Sequence, residues 1–262
     1  MEADNPTRSA ASPWRNDRPP HLPCARDELP RAVLFPGDPG RVDRFATILD
    51  DFRILGQNRE FRIGVGTYRG RELGVCSTGI GGPSTEIALV EAAELGCRFA
   101  LRIGGTGALD PEIPLGSLLI VTEALRIGGA AAQYAPANQP ARPHPSIVSA
   151  LHASARSLGI TVIPAIAASV DGYYAAQARP YPHANASLSL DRHIDRGATT
   201  IDMEAETILV VGASVGLAAG ALLAVHANRA TDQWLEDFGP AQDAMIRVAC
   251  EALHDLSAKE EA

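Results

Sequence analysis

Between residues 31 and 256, short apolar runs alternate with stretches whose apolar positions recur every three or four residues. The runs RAVLF (31–35), FALRIG (99–104), SLLIVTEAL (117–125), TVIPAIAAS (161–169) and GALLAVHA (220–227) predict buried strands. FRIGVGTYRG and RELGVCST predict two more, joined by a glycine turn at Gly70. In VDRFATILDD (42–51), Val42, Phe45, Ile48 and Leu49 share one helical face, so a helix is expected there. TEIALVEAAELG predicts a helix capped by Ser84 or Thr85 and stopped by Gly96. PSIVSALHASARSLG (145–159), MEAETILVVGASVG (203–216) and the tail over 242–256 predict others. Strands alternating with helices mean an α/β sheet covered on both faces, where ligands collect at the carboxyl ends of strands.

Composition narrows this picture. A chain of 262 residues, 46% hydrophobic and 21% charged, buries one sizeable core, and no linker or low-complexity tract divides it. Residues 1–20, rich in Pro, Ser, Asn and Arg with no apolar segment, predict a disordered leader ahead of a domain over 21–262. The net charge of −8, with arginines occurring singly, argues against a nucleic-acid or membrane surface. No stretch approaches the roughly 18 apolar residues of a membrane span. Cys24, Cys76, Cys97 and Cys250 form neither a CxxC nor a His/Cys cluster. A soluble, reduced, cytoplasmic protein is expected, without a zinc site or disulfide framework.

The chemistry sits after the strands. PGDPGR follows RAVLF: its glycines let backbone approach a ligand, and Arg41 opens the next helix, which suits an anion as well as a plain turn. GGTGALDP lies behind Arg102, and GIGGPS occupies 79–84. Neither is a dinucleotide fingerprint, because the third glycine and the helix directly behind it are missing, so NAD binding is set aside. VDGYYAAQARPY (170–181) sets two tyrosines beside a glutamine and an arginine two residues apart. That combination suits either a polar loop or a planar, hydrogen-bonding ligand.

PGDPGRV, NREF, CSTGIGGPST, LRIGGTGAL, DGYYAAQAR, DMEAET and HANRATD occur in the order and at close to the spacing of motifs in bacterial uridine phosphorylases. Over residues 21 to 256 the chain thus resembles the nucleoside phosphorylase superfamily. The resemblance implies a single-domain three-layer α/β/α sandwich with a central mixed twisted sheet. It implies homo-oligomers, with a dimer as the minimal active unit and hexamers of paired dimers. The reaction implied is cleavage of a nucleoside by inorganic phosphate, the co-substrate, to free base and ribose 1-phosphate, with no organic cofactor.

Residue by residue, the resemblance assigns phosphate binding to Gly37, Arg41, Arg102, Gly105 and Thr106, with Arg59 reaching in from a neighbouring subunit. Gly105 stands where the family usually has a hydroxyl residue. Met203 and Glu204 would hold the ribose, with His21 contributed by a neighbouring subunit. Gln177, Arg179, Tyr173, Thr106, Gly107, Asp202 and Arg229 would surround the base, Asp202 standing where a longer glutamate is usual. Arg102, Glu204 and Arg229 would carry the catalysis. Glu60, Ile80 and Ser84 match a monovalent cation site at the dimer interface, a structural K⁺. The glutamine amide pairs with O2 and N3–H of uracil while the arginine donates to O4, which favours uridine. Gly105, Asp202 and a short 181–200 loop leave three alternatives open: a broader or purine nucleoside phosphorylase, a nucleosidase, and a non-catalytic nucleoside-binding relative.

Overall fold

A computed structural model of the chain describes residues 9–15, 17–182 and 189–260. Residues 1–8 and 16 of the expected leader, and 183–188 of the 181–200 loop, lie outside the described residues. Within the leader, the Arg15 and Arg18 backbones bond to each other and Trp14 packs against the core.

The described strands are β1 (Ala32–Pro36), β2 (Asp50–Asn58), β3 (Phe61–Tyr68), β4 (Arg71–Cys76), β5 (Phe99–Ala108), β6 (Leu118–Ala124), β7 (Val162–Ser169), β8 (Thr200–Asp202), β9 (Ala218–Asn228) and β10 (Gln233–Trp234). They form one mixed sheet in the order β10-β9-β6-β7-β8-β5-β1-β4-β3-β2. β9 also pairs in parallel with β5, so β5, β9, β6, β7 and β8 close into a ring. The helices are α1 (Pro39–Asp43), α2 (Gly82–Glu94), α3 (Gly129–Ala132), α4 (Pro145–Ser157), α5 (Asp191–Ile194), α6 (Ala205–Ser214) and α7 (Gly239–Glu260).

Period-two alternation divides the core into two layers. Val33, Phe35, Leu119, Val121, Leu223 and Val225 face one side with α2, α3 and α6. Leu34, Leu101, Ile103, Leu118, Ile120 and Leu222 face the other with α1, α4 and α7. This is the expected three-layer α/β/α architecture around a mixed sheet.

Two local expectations are corrected. The helix expected over 42–51 is instead α1 followed by a 3₁₀ turn over Arg44–Thr47, and Asp50 already begins β2. Val42, Phe45 and Leu49 are still buried, but Asp51 turns left-handed (φ 51°) and the chain pairs with β3. Helix α2 is capped by Gly81 (φ 95°), not by Ser84 or Thr85. The Ser84 hydroxyl lies within hydrogen-bond reach of both Glu60 and the Thr78 carbonyl, and that of Thr85 donates back to the Gly81 carbonyl.

Candidate active site

At the carboxyl ends of β5, β8 and β9 lies a cavity of about 220 Å³. Its walls include Gly105, Thr106, Gly107, Gln177, Arg179 and Glu204.

One end is built around Arg102, which is only 3% exposed. Its Nε donates to Asp202 Oδ2 at 3.0 Å, and one terminal nitrogen lies 2.5 Å from Glu204 Oε2. The guanidinium folds back over β5, where a Cβ on Gly104 would come within 2.8 Å of it. A side chain at 104 would therefore push the guanidinium from its place against Asp202 and Glu204. The second oxygen of Glu204 accepts the Gly81 N–H at 2.6 Å. Asp202 accepts from the Ser169 hydroxyl at 2.5 Å and from the Ala205 N–H at 2.9 Å, so it caps the entrance to α6. Glu204 is the residue preceding α6, not part of its first turn.

Burial opposes the charge of Arg102, yet Glu204 and Asp202 outweigh it and hold the guanidinium above its usual pKa. Burial pushes the Glu204 carboxyl up, against the pull of Arg102 and with repulsion from Asp202. Arg41 lies close enough to feel both Arg102 and Glu204 and bonds Gln242 of α7 at 3.1 Å. Burial holds Arg41 below the usual arginine value.

The other end is the 170–181 loop. The Arg179 guanidinium lies 3.8 Å above the Tyr173 ring, donates to the Tyr173 carbonyl at 3.1 Å and contacts the Gln177 side-chain oxygen. Ala178 between them is left-handed (φ 52°), which turns Gln177 and Arg179 toward the same side. Burial, and then the charge of Arg229, hold Arg179 below the usual arginine value. Gln177 is 4% exposed.

The structure brings Gly105, Gly107, Tyr173, Gln177, Arg179, Met203 and Glu204 to one cavity, with Arg102 buried behind its wall against Glu204 and Arg41 within reach of both charges. Other expected residues have different surroundings. Arg229 packs on Gly107 and donates to the Gln177 carbonyl at 3.0 Å, so it holds the 170–181 loop and does not line the cavity. The Thr106 hydroxyl is bonded to the Ile201 carbonyl at 2.7 Å and the Thr200 hydroxyl at 2.6 Å, which commits it to β8. Asp202 reaches the cavity wall, but its oxygens are taken by Arg102, Ser169 and Ala205. It positions Arg102. Gly37 lies against the Gly79 carbonyl, outside the lining.

His21 and Arg59 are absent from the cavity formed by their own chain. Arg59 is an exposed, left-handed residue (φ 52°) in the β2–β3 turn. His21 Nδ1 pairs with buried Glu91 at 2.6 Å and lies edge-on to Phe61. Asn58, next to Arg59, donates to the His21 carbonyl at 2.9 Å, which brings the two residues' backbones near each other. Glu60 and Ser84 meet at 2.7 Å, and that hydrogen bond holds the Glu60 carboxyl below the usual carboxylate range. A carboxylate and a hydroxyl are oxygen donors suited to a hard cation. Ile80, 78% exposed, lines the cavity from the same loop.

Residue-by-residue reading missed His226 and Trp234 as wall residues, and Phe238 behind them. His226 stood in a quoted motif at the end of a predicted strand, and that position was the available signal.

A family model described as Phosphorylase superfamily matches residues 31–257. A uridine phosphorylase of Thermococcus kodakarensis is 38% identical over 243 residues, covering 90% of this chain and 86% of that protein. A uridine phosphorylase of Escherichia coli is 37% identical over 246 residues, covering 90% and 97%. A crystal structure of purine nucleoside phosphorylase from Toxoplasma gondii in complex with immucillin-H superposes with a TM-score of 0.86 at 24% identity, covering 94% of this chain and 99% of that one. A family match over almost the whole folded region makes this chain a member of the phosphorylase superfamily.

Proposed function

We infer that the protein is a uridine phosphorylase, a pentosyltransferase that converts uridine and inorganic phosphate reversibly to uracil and ribose 1-phosphate. The observation that carries the choice of base is the Gln177–Arg179 pair at one end of a cavity whose other end holds Glu204, backed by Arg102. Uracil presents acceptor, donor and acceptor along one edge, and a glutamine amide beside a guanidinium is its complement. The 37–38% identity to uridine phosphorylases supports the same reading.

In the reaction a phosphate oxygen forms a bond to C1′ as the C1′–N1 bond breaks, and the electron pair leaves with the base. Donors at Gln177 and Arg179 stabilise that anion, an arrangement equivalent to an oxyanion hole. Glu204 accepts from the ribose hydroxyls and Met203 packs on the sugar. Arg41 and Arg102 hold the phosphate.

Arg41 and Arg102 meet Asp202 and Glu204, two charges of each sign, which leaves the anion end without net positive charge. A phosphate dianion calls for a further cation. Arg59 from an adjacent subunit supplies it in our reading, with His21 arriving from the same subunit. A homodimer is then the minimal active unit, paired into hexamers, with K⁺ held structurally by Glu60, Ile80 and Ser84. No described helix is long and apolar enough to cross a membrane. A cytoplasmic role in pyrimidine salvage completes the proposal.

The test is uridine with and without phosphate. Release of uracil and ribose 1-phosphate only when phosphate is present is expected. Strict preference for inosine, or turnover undiminished without phosphate, would overturn the reading.

A further inference from the structure

His226 is placed by a defect in the β5–β9 ladder. Thr106 pairs with Val225 and Gly107 with Ala227, which leaves His226 as the extra residue on β9. Such a bulge re-aims a side chain, and here it turns His226 into the cavity wall. The ring is stacked on Phe238 at 4.4 Å and 10°, with Trp234 at 4.3 Å on a tilted plane. Among the described residues the Leu235 backbone is the hydrogen-bonding group that acts on the ring, and no side chain bonds it.

The neighbouring wall offers little else. Gly105 and Gly107 have no side chain, Thr106 is committed to β8, and Asp202 is saturated. A Cβ at Gly105 would lie 3.8 Å from the His226 Cβ, so the imidazole flanks the bare stretch of β5. Of the charged groups, Arg41 acts most strongly on His226, followed by Glu236, which sets the ring on the Arg41 side.

We propose that His226 is a further substrate-contacting residue, its imidazole hydrogen-bonding a sugar hydroxyl at the anion end of the cavity. The assignment rests on the phosphorolysis reading above. Burial and the positive charge of Arg41 hold the imidazole below the ordinary histidine value and so uncharged at neutral pH, able both to donate and to accept.

The test compares uridine, 2′-deoxyuridine, 3′-deoxyuridine and 5′-deoxyuridine, each with inorganic phosphate, in wild type, His226→Phe and His226→Gln. Phenylalanine keeps the stack on Phe238, and an unchanged melting temperature checks the fold. His226→Phe is expected to lower kcat/KM for uridine roughly tenfold, the loss of one hydrogen bond. It should leave kcat/KM within twofold for the one deoxynucleoside that lacks the contacted hydroxyl, and His226→Gln should recover part of the loss on uridine. A variant within twofold of wild type on uridine, or equally impaired on all four nucleosides, would overturn the assignment. Wild type that releases no uracil with phosphate would overturn the phosphorolysis reading instead. The same comparison then runs on equilibrium binding of the four nucleosides.

Discussion

The two ends of the cavity are built differently. Arg102, Asp202 and Glu204 are 3%, 4% and 5% exposed and sit on β5 and at the β8–α6 junction, each tied to the others. Gln177, Arg179 and Tyr173 sit on a loop, where Gln177 is buried but uncharged, Tyr173 is 42% exposed and Ala178 is left-handed. Here strands and a strand–helix junction fix the buried charges, whereas a loop carries the residues to which our reading gives recognition of the base. The first end should resist change, and the second should accept it at the expense of selectivity.

The sharpest test of that contrast is Arg102→Met, which leaves Asp202 and Glu204 buried without a counterion. About 3–5 kcal/mol of stability should be lost, as for other broken buried pairs. Phosphorolysis should fall by at least about 100-fold. A urea midpoint unmoved from wild type would erase the distinction between the ends. The double change Gln177→Ala, Arg179→Ala comes next: kcat/KM for uridine should fall by about 30- to 100-fold, two hydrogen bonds. Its urea midpoint should correspond to a loss of about 1–2 kcal/mol, less than for Arg102, since Gln177 is buried but uncharged.

Acid compares the ends through one histidine each. His226, at the anion end, is held below the ordinary value of about 6.5 by burial and by Arg41. His193, beneath the 170–181 loop, is held below it by burial and by Arg192. Both are harder to protonate folded than unfolded, so the unfolded chain takes up more protons once the pH falls below about 6.5. Stability should be full above that value and decline beneath it. Urea midpoints at pH 7.5 and 5.5 should show the decline, and His226→Phe and His193→Phe should each remove a share. A flat profile would show that neither histidine is held neutral. The smallest effect is expected from Gly105→Thr, whose Cβ would meet Phe238 at 3.7 Å and His226 at 3.8 Å, ordinary contacts. Thermal unfolding should register less than about 0.5 kcal/mol.

The sequence disclosed elements wherever burial produced a clean period. The two-sided apolar runs of β1, β6, β7 and β9 and the faces of α2, α4 and α6 were legible in this way. β2 was not, because its residues are mostly exposed or half-buried and show no alternation, while Val42, Phe45 and Leu49 imitate a helical face. β8 has three residues, too few for any period, yet it positions Asp202. The site was legible in its motifs but not in its geometry. The commitment of Thr106 to β8, the role of Arg229 behind Gln177 and the inward turn of His226 depend on a ladder register that one sequence does not display.

The ring closed by β5 and β9 also sets an order of events during synthesis. Ala100 pairs with Ala219 and Gly104 with Leu223, contacts between segments far apart along the chain. Until β9 has left the ribosome, β5 carries Arg102 on a strand with one free edge, and the Asp202 and Glu204 counterions have only just been made. Such long-range pairing is slow, and an unpaired strand edge invites association with other chains. The nascent protein should therefore depend most on chaperones in the interval between completion of β5 and emergence of β9.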